Sequence, residues 1–516
     1  MRRATSIMCL LLGVLTVSSC RRVPDVSQAS LQHALPRIDP DYTSVVIPPN
    51  IAPMNFRIRE PGQDFLVRLS PEAGEGIELH CPDGTCRIPR GPWRKLLASS
   101  KGGSIRLDVF AEQGNGMWTR FSGATMRVAS EPIDSYIVYR VLSPNRAYSR
   151  IKGIFQRDLE SFERSALITR RGGTFSCFNC HTFYRHNPDK FLYHVRGNHA
   201  GMMVVADGKI RKIETRQDPM FRPLAYAAWH PDGRHVAATL NMYRSLWPAT
   251  GERQHFEAVE KRGDLVVYDV EQNTIHTTRE VFDNTHIETH PCWSADGRHI
   301  YFVRCKDRPL LVAADLPSFK FDLVRIACDV ETGAWGEPEM VKAYSENGAS
   351  CSFPRPSSCG RYVLHILSDQ TTYPIHQDSS DLYLLDLETG EHARLDRASS
   401  DRSESYPRWS SNGRWFSFLS NRRDGVCALP YFAYFDEQGQ AHKAFVLPQE
   451  DPAYYDTFID TYNGVEMVKS KVRVRPDQLA RGMQQKAVQA QFPNPPDVDA
   501  YTGATQKHPP TPGGHY

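Results

Sequence analysis

Alternating apolar and polar positions, the period-two signature of half-buried strands, run along most of the chain from residue 45 onward. Four stretches share one design: "WHPDGRHVAATL" from Trp229, "WSADGRHIYFV" from Trp293, "PSSCGRYVLHIL" from Pro356 and "WSSNGRWFSFL" from Trp409. Each has a turn ending in Gly-Arg, at Gly233, Gly297, Gly360 and Gly413, then a short run rich in β-branched and aromatic residues. Asp or Asn precedes the glycine in three copies and favours the left-handed backbone of a hairpin turn; Cys359 is the exception. A second strand pair follows each hairpin: "GDLVVYDVEQNTIH", "FDLVRIACDVETGAW", "SDLYLLDLETGEHARL" and "PYFAYFDEQGQAHKAF". Four strands recurring at roughly sixty residues describe a β-propeller blade.

Upstream, "NPDKFLYHVR" (Asn187–Arg196) and "GMMVVADGKIRKIE" supply a fifth blade, and "IDSYIVYRVL" (Ile133–Leu142) supplies strands for a sixth. Joining the two chain ends in one sheet closes such a ring and removes its free edges. "NFRIRE", "DFLVRLS", "GIELHC", "SIRLDVFA" and "ATMRVAS" predict a small β-sandwich of immunoglobulin-like type. "RDLESFERSAL" (Arg157–Leu167) reads as a helix, and Asn241–Gly263 as a long blade loop of the kind that contacts partners. The expected organisation is a leader over 1–20, a linker over 21–44, the sandwich over 45–132, the propeller over 133–475 and an extension over 476–516. The end of that extension, "FPNPPDVDAYTGATQKHPPTPGGHY", is Pro/Gly-rich and reads as disordered.

Composition narrows the partners. With 62 Lys+Arg against 59 Asp+Glu the formal charge is +3, and no long basic run occurs, which argues against nucleic acid. Arg2, Arg3 and the apolar run Met8–Val17 form a leader too short to span a bilayer. It ends in "VSSC", and small residues before Cys20 resemble a bacterial lipobox, in which cleavage leaves Cys20 lipidated. An ordinary signal peptide or an uncleaved anchor are the alternatives. The expected place is the cell envelope, at the outer membrane facing the periplasm, because "RRVPD" after Cys20 lacks an acidic export cluster.

The chemistry centres on "TFSCFNCHTF" (Thr174–Phe183). Cys177, Cys180 and His181 form a Cys-x-x-Cys-His string, the attachment pattern of haem c: two thiols add to the vinyl groups and the histidine meets the iron. His199 is the first choice for a sixth ligand, Met202 would give a His/Met pair, and a five-coordinate haem is equally allowed. Three other readings stay open: a Cys177–Cys180 disulfide, a structural zinc with two histidines, and a packed loop. Cys81 and Cys86 flank "PDGT", a tight turn that a small disulfide would close, whereas the six cysteines from Cys292 to Cys427 read as buried small hydrophobes. "NTHIETHPCW" sets His286, Glu288 and His290 at alternating positions on one strand face, and Glu404 aligns with Glu288. Those four are candidates for a divalent cation or a polar ligand, with hydrogen-bonded channel residues as the plainer account. No Gly-x-Ser-x-Gly occurs, so hydrolase machinery is not evident.

The blade turns resemble those of TolB-like six-bladed propellers, which carry Trp-Ser-Pro-Asp-Gly, and the resemblance covers about residues 135–470. It implies an all-β fold: a six-bladed TolB-like β-propeller preceded by a small immunoglobulin-like β-sandwich. Function is not implied, since that family holds binding scaffolds, enzymes and parts of peptidases. The lipobox, small β domain, Cys-x-x-Cys-His and propeller together resemble a group of Bacteroidetes envelope lipoproteins. The expectation is a lipid-anchored protein holding one covalent haem and exchanging electrons with a redox partner. The alternative is a non-catalytic scaffold for an envelope protein or glycan, with a metal-dependent enzyme at Glu288 and His290 third.

Overall fold

Hairpin turns of this tightness need backbone with positive φ, and the repeated glycines provide it. Gly233, Gly297, Gly360 and Gly413 adopt φ of 75, 75, 78 and 67°, Gly360 doing so even behind Cys359. The arginine that follows has a second task. Arg234 and Arg361 reach back to Asp269 and Asp386 at 2.5 and 2.7 Å, where each blade's third strand ends. Trp229 and Trp409 donate their indole N–H to the carbonyls of Thr182 and Arg355, at 3.2 and 2.9 Å, clipping each blade to the one before it.

The computed structural model describes residues 24–496 apart from 115, 144–150, 170–175, 198, 217–221, 247–256 and 310–312. The lipobox at Cys20 and residues 497–516 therefore lie outside the described residues, as does the side chain of Cys177. Six sheets make up the propeller, their strands running in order from axis to rim. Blade 1 is Thr461–Val468, Tyr136–Leu142, Ile151–Asp158 and Arg164–Thr169, so strands from both chain ends share one sheet. Blade 2 is Ser176–Phe183, Phe191–Gly197, Gly201–Ala206 and Lys209–Glu214. Blade 3 starts with Leu224–Trp229, blade 4 with His286–Trp293, blade 5 with Ser350–Pro356 and blade 6 with Glu404–Trp409. Each first strand touches those of its two neighbours, and blade 6 returns to blade 1, closing the ring.

Ahead of the ring, Ser104–Glu112 is the centre of a seven-stranded sheet, beside a three-stranded sheet of Ile38–Asp39, Phe56–Ile58 and Thr85–Cys86. A helix over Arg90–Ser99, absent from the sequence expectation, buries Trp93, Leu96 and Leu97 on this region's core. Its polar run "RGPWRK" hid a short apolar stripe. That core continues into blade 6 through Trp415 and Phe432. Asp39 accepts hydrogen bonds from Arg57, Arg59 and Arg423. Burial opposes its ionisation, yet the three guanidiniums hold the carboxyl well below its ordinary range.

Several expectations change. The segment 21–44 is not a plain linker, since Ser30–Gln32 and Ile38–Asp39 join the two sheets. Arg157–Leu167 is not a helix but the end of one strand, a turn and the start of the next, laddered on both sides. Buried Arg157 also bonds Gln449 Oε1 at 2.6 Å, and such tertiary partners override helix propensity. Within Asn241–Gly263 the described residues are not a loop but two paired strand ends, from Asn241↔Gly263 to Leu246↔Glu257. Of the C-terminal extension, Pro476–Gln484 is a helix and Val488–Gln489 adds a parallel strand to blade 2. Phe492, placed in the disordered tail by composition, packs on Phe282 with ring centroids 5.9 Å apart. No helix among the described residues is long and apolar enough to cross a membrane.

Cys81 and Cys86 are free thiols with sulfurs 2.9 Å apart, and both are buried. Exported protein is expected to weigh two hydrogens less at this pair than protein made in the cytoplasm. Intact and peptide masses with and without reductant check it, and opening the small loop should cost about 2 kcal/mol of stability.

Candidate functional site

An antiparallel strand presents alternate side chains to opposite faces, unless an extra residue is inserted. Every inner strand of this propeller carries that insertion. The ladder slips between Asn179 and Thr182, Ala225 and Ala228, Thr289 and Cys292, Ser352 and Arg355, and Ser405 and Arg408. In blade 1 it slips opposite Val138 and Arg140. At each slip one residue is left-handed: Cys180, Tyr226, His290, Phe353, Tyr406 and Gly464, with φ between 50 and 56°. These are six equivalent positions around one axis.

They are not alike. Tyr226, His290, Phe353 and Tyr406 form a continuous wall, with successive centroids 4.3, 3.9 and 4.6 Å apart. Cys180 and Gly464, in adjacent blades, are small. A Cβ added at Gly464 would sit 3.7 Å from His181 Cε1, so the missing side chain leaves space beside that imidazole. The result is a cavity of about 90 Å³ lined by Cys180, His181, Tyr226, Phe353, Tyr406 and Gly464. Arg140, Arg196, Arg355 and Arg408 also line it.

Arg140 donates to Phe178 O at 3.2 Å and Asn463 Oδ1 at 2.6 Å, leaving its buried Nε without a partner. Arg355, 8% exposed, donates from Nη1 to Pro354 O at 3.1 Å, and its Nε is likewise unpartnered. Burial first, and Arg408 second, push the Arg355 guanidinium down to about 10. Among the described residues Arg140, Arg355 and Arg408 form no ion pair with a carboxylate. Glu466 is held by Thr182 Oγ1 and the Phe183 N–H, at 3.4 and 3.3 Å. Behind Tyr226 lies Glu260, buried and hydrogen-bonded by Asn241. Burial raises its carboxyl to about 7 against the pull of Tyr226 and Arg196.

His181 is 7% exposed, its Nε2 has no partner, and its other ring nitrogen bonds the Val138 backbone. Burial lowers its pKa to about 4, so the ring is neutral at pH 7. A neutral imidazole anchored through one nitrogen and unpartnered at the other is the form a metal ligand takes. The space is less accommodating: about 90 Å³ is well below the roughly 300 Å³ of ordinary small-molecule pockets. A porphyrin does not fit inside it. The Cys-x-x-Cys-His string lies within the inner strand of blade 2 rather than in an entry loop, and Cys180 is that blade's ring residue. Neither proposed sixth ligand lines the cavity. His199 sits in the turn after Phe191–Gly197, and Met202 is fully buried with Leu192 and Val236 between blades 2 and 3.

His286, Glu288, His290 and Glu404 are not brought together. Glu288 is buried against Arg304 at 2.8 Å in blade 4, and Glu404 against Arg422 at 2.8 Å in blade 6, with blade 5 between them. Burial raises both carboxyls despite these arginines. His286 bonds Thr285 and Arg304 on the blade edge. The bulge turns His290 into the ring, stacked on Phe353, whose N–H donates to its Nδ1 at 3.2 Å. Period-two counting fails at that slip. Among the described residues a different set, His230, Asp232 and His235, has donor atoms within 4.8 Å of one another. These groups already hold the Asp-Gly turn of blade 3, where the Asp232 N–H donates to His230 Nδ1 and Asp232 pairs with His235.

Sequence reasoning missed the arginines and the aromatic wall. One signal was available: Tyr226, His290, Phe353 and Tyr406 each stand three residues before Trp229, Trp293, Pro356 or Trp409, and Arg355 and Arg408 stand one before.

No family model matches the chain, and no curated protein does. Among solved structures, a luciferin-regenerating enzyme is similar at 8% identity and TM-score 0.35, over 66% of this chain and 96% of that one. An oligogalacturonate lyase in complex with manganese is similar at 13% and 0.31, over 65% and 87%. A putative 6-phosphogluconolactonase from Bacteroides uniformis is similar at 13% and 0.30, over 78% and 100%. Likeness at this level carries no argument about activity.

Proposed function

We propose that this protein is an envelope-tethered β-propeller, lipid-anchored through Cys20, whose axial cavity binds the carboxylate or phosphate group of a small ligand. One observation carries the reading: Arg140, Arg355 and Arg408 converge on a single cavity without carboxylate partners. Buried cations persist only when something compensates them, and an anion is the natural complement. The volume of about 90 Å³ suits one oxyanion group and its waters. Two or three charge-assisted hydrogen bonds at about 1.5–3 kcal/mol each set the expected Kd between about 6 mM and about 0.3 μM. Calorimetric titration with citrate and with phosphate is expected to show saturable binding, and glucose none. Absence of binding by both anions overturns the reading.

A second reading, one covalent haem c on Cys177 and Cys180 with electron transfer to a redox partner, has the anchored, unpartnered imidazole of His181 in its favour and the small cavity against it. Protein made with a c-type maturation system then shows a Soret band that survives acid–acetone extraction. Colourless protein from that system removes this reading and leaves the anion site untouched.

A further inference from the structure

Resting on the anion-site reading, we infer that Cys180 is a nucleophilic thiol directed at anionic electrophiles, molecules that carry a carboxylate or phosphate beside the carbon under attack. The thiol is placed for this by the bulge. Cys180 is left-handed, with φ of 50°, and so projects from the inner strand into the axial cavity. A non-glycine residue held in that region carries strain, which the surrounding ladder maintains. Its neighbour in the ring is Gly464, where no side chain competes for space.

Two independent features point to a ligand there. His181 is nine-tenths buried, lines the same cavity and has an Nε2 without a partner. Arg355 is equally buried, with an unpartnered Nε on the same lining. Together with Arg140 and Arg408 they make the space in front of the sulfur cationic. An anion seated there is held at the thiol, and proximity of this kind lowers the barrier to displacement. Other described thiols lack the setting: Cys81, Cys86, Cys305, Cys328, Cys351 and Cys427 are buried, and Cys359 is exposed on a blade turn. Cys292 is half-buried against Arg355 but does not line the cavity.

The reaction is a displacement at carbon. The Cys180 proton goes to buffer, the thiolate sulfur forms a C–S bond, and the leaving group departs with the electron pair of the bond it breaks. Iodoacetate is the minimal probe: its product is S-carboxymethyl-cysteine and its leaving group is iodide. Iodoacetamide has the same reacting carbon without the charge, so the ratio of the two rates isolates charge selection.

The test uses the full chain, purified colourless and freshly reduced, with peptide masses following each cysteine. Cys359 is the reference inside the same molecule. The iodoacetate-to-iodoacetamide rate ratio is expected to be at least tenfold higher at Cys180 than at Cys359. Citrate or phosphate should protect Cys180 alone, and Arg408→Gln should bring its ratio down to that of Cys359 while the Cys359 rates stay unchanged. Equal ratios at the two cysteines, or no labelling of Cys180, overturn the inference. If citrate and phosphate still bind by calorimetry in that case, the anion site stands and only the thiol's role falls; if neither binds, both fall.

Discussion

Arg355→Met is expected to weaken oxyanion binding at least thirtyfold and, in the same molecule, to raise the melting temperature of the empty protein. The two effects share one cause. Arg355 is nine-tenths buried beside Arg408, with a backbone carbonyl, Cys292 and the Phe353 ring against its guanidinium and Glu466 as the one carboxylate acting on it from a distance. Such a cation, pushed from its ordinary 12.5 down to about 10, costs the fold on the order of 3 kcal/mol at neutral pH. The sign is that of a depressed base. The cost is complete below about pH 10 and shrinks as pH rises through that value toward 12.5. Methionine keeps most of the volume, removes the charge and leaves no donor behind. Loss of one buried charge-assisted contact should weaken citrate or phosphate at least thirtyfold, about 2 kcal/mol. Calorimetry reads the affinity and a melting curve without ligand reads the stability. A variant that loses stability and keeps affinity would show that Arg355 holds the blades together rather than waiting for an anion.

Trp415→Ala should do the reverse: leave the axial arginines in place and separate the propeller from the domain ahead of it. Trp415 is fully buried, and its indole N–H donates to Glu131 O at 3.1 Å. Its ring lies 5.0 Å from Tyr434, whose hydroxyl donates to Glu131 Oε2 at 2.9 Å. The same core cluster contains Trp93, Val109 and Val128 from the N-terminal sheets and Phe432 from blade 6. Truncation of so large a buried ring costs about 3–5 kcal/mol, and the lost hydrogen bond adds about 1 kcal/mol. The expected calorimetric trace changes from one transition to two, and brief proteolysis cuts between the two regions near residue 131. A single transition with a small shift in midpoint would mean that blade 6 and the N-terminal sheets are coupled elsewhere, the Asp39–Arg423 contact being the next place to look.

Some of this was written in neighbouring residues. The blade turns, their left-handed glycines and the four-strand repeat follow from spacings of a few positions, and a closed six-blade ring follows from the repeat. Where local propensity misled, a tertiary partner was responsible. Arg157–Leu167 has the composition of a helix, but Arg157 is captured by Gln449 and the segment is laddered on both sides. Asn241–Gly263 has the polarity of a loop, but its two ends pair with each other and bring Tyr243 to the cavity.

The axial site was a different kind of problem. Its composition depends on a one-residue slip in every inner strand, which reverses the face on which period-two counting places His290 and Cys180. Ring closure then sets Arg140, Arg355 and Arg408 around one axis, although they are far apart in the chain. Hydrophobic alternation reports which face of a strand is buried, because burial is a property of each residue and its near neighbours. What faces what across the axis depends on register and closure, which no short stretch encodes. The fold was therefore set by local pattern, and the cationic cavity by how six such patterns meet.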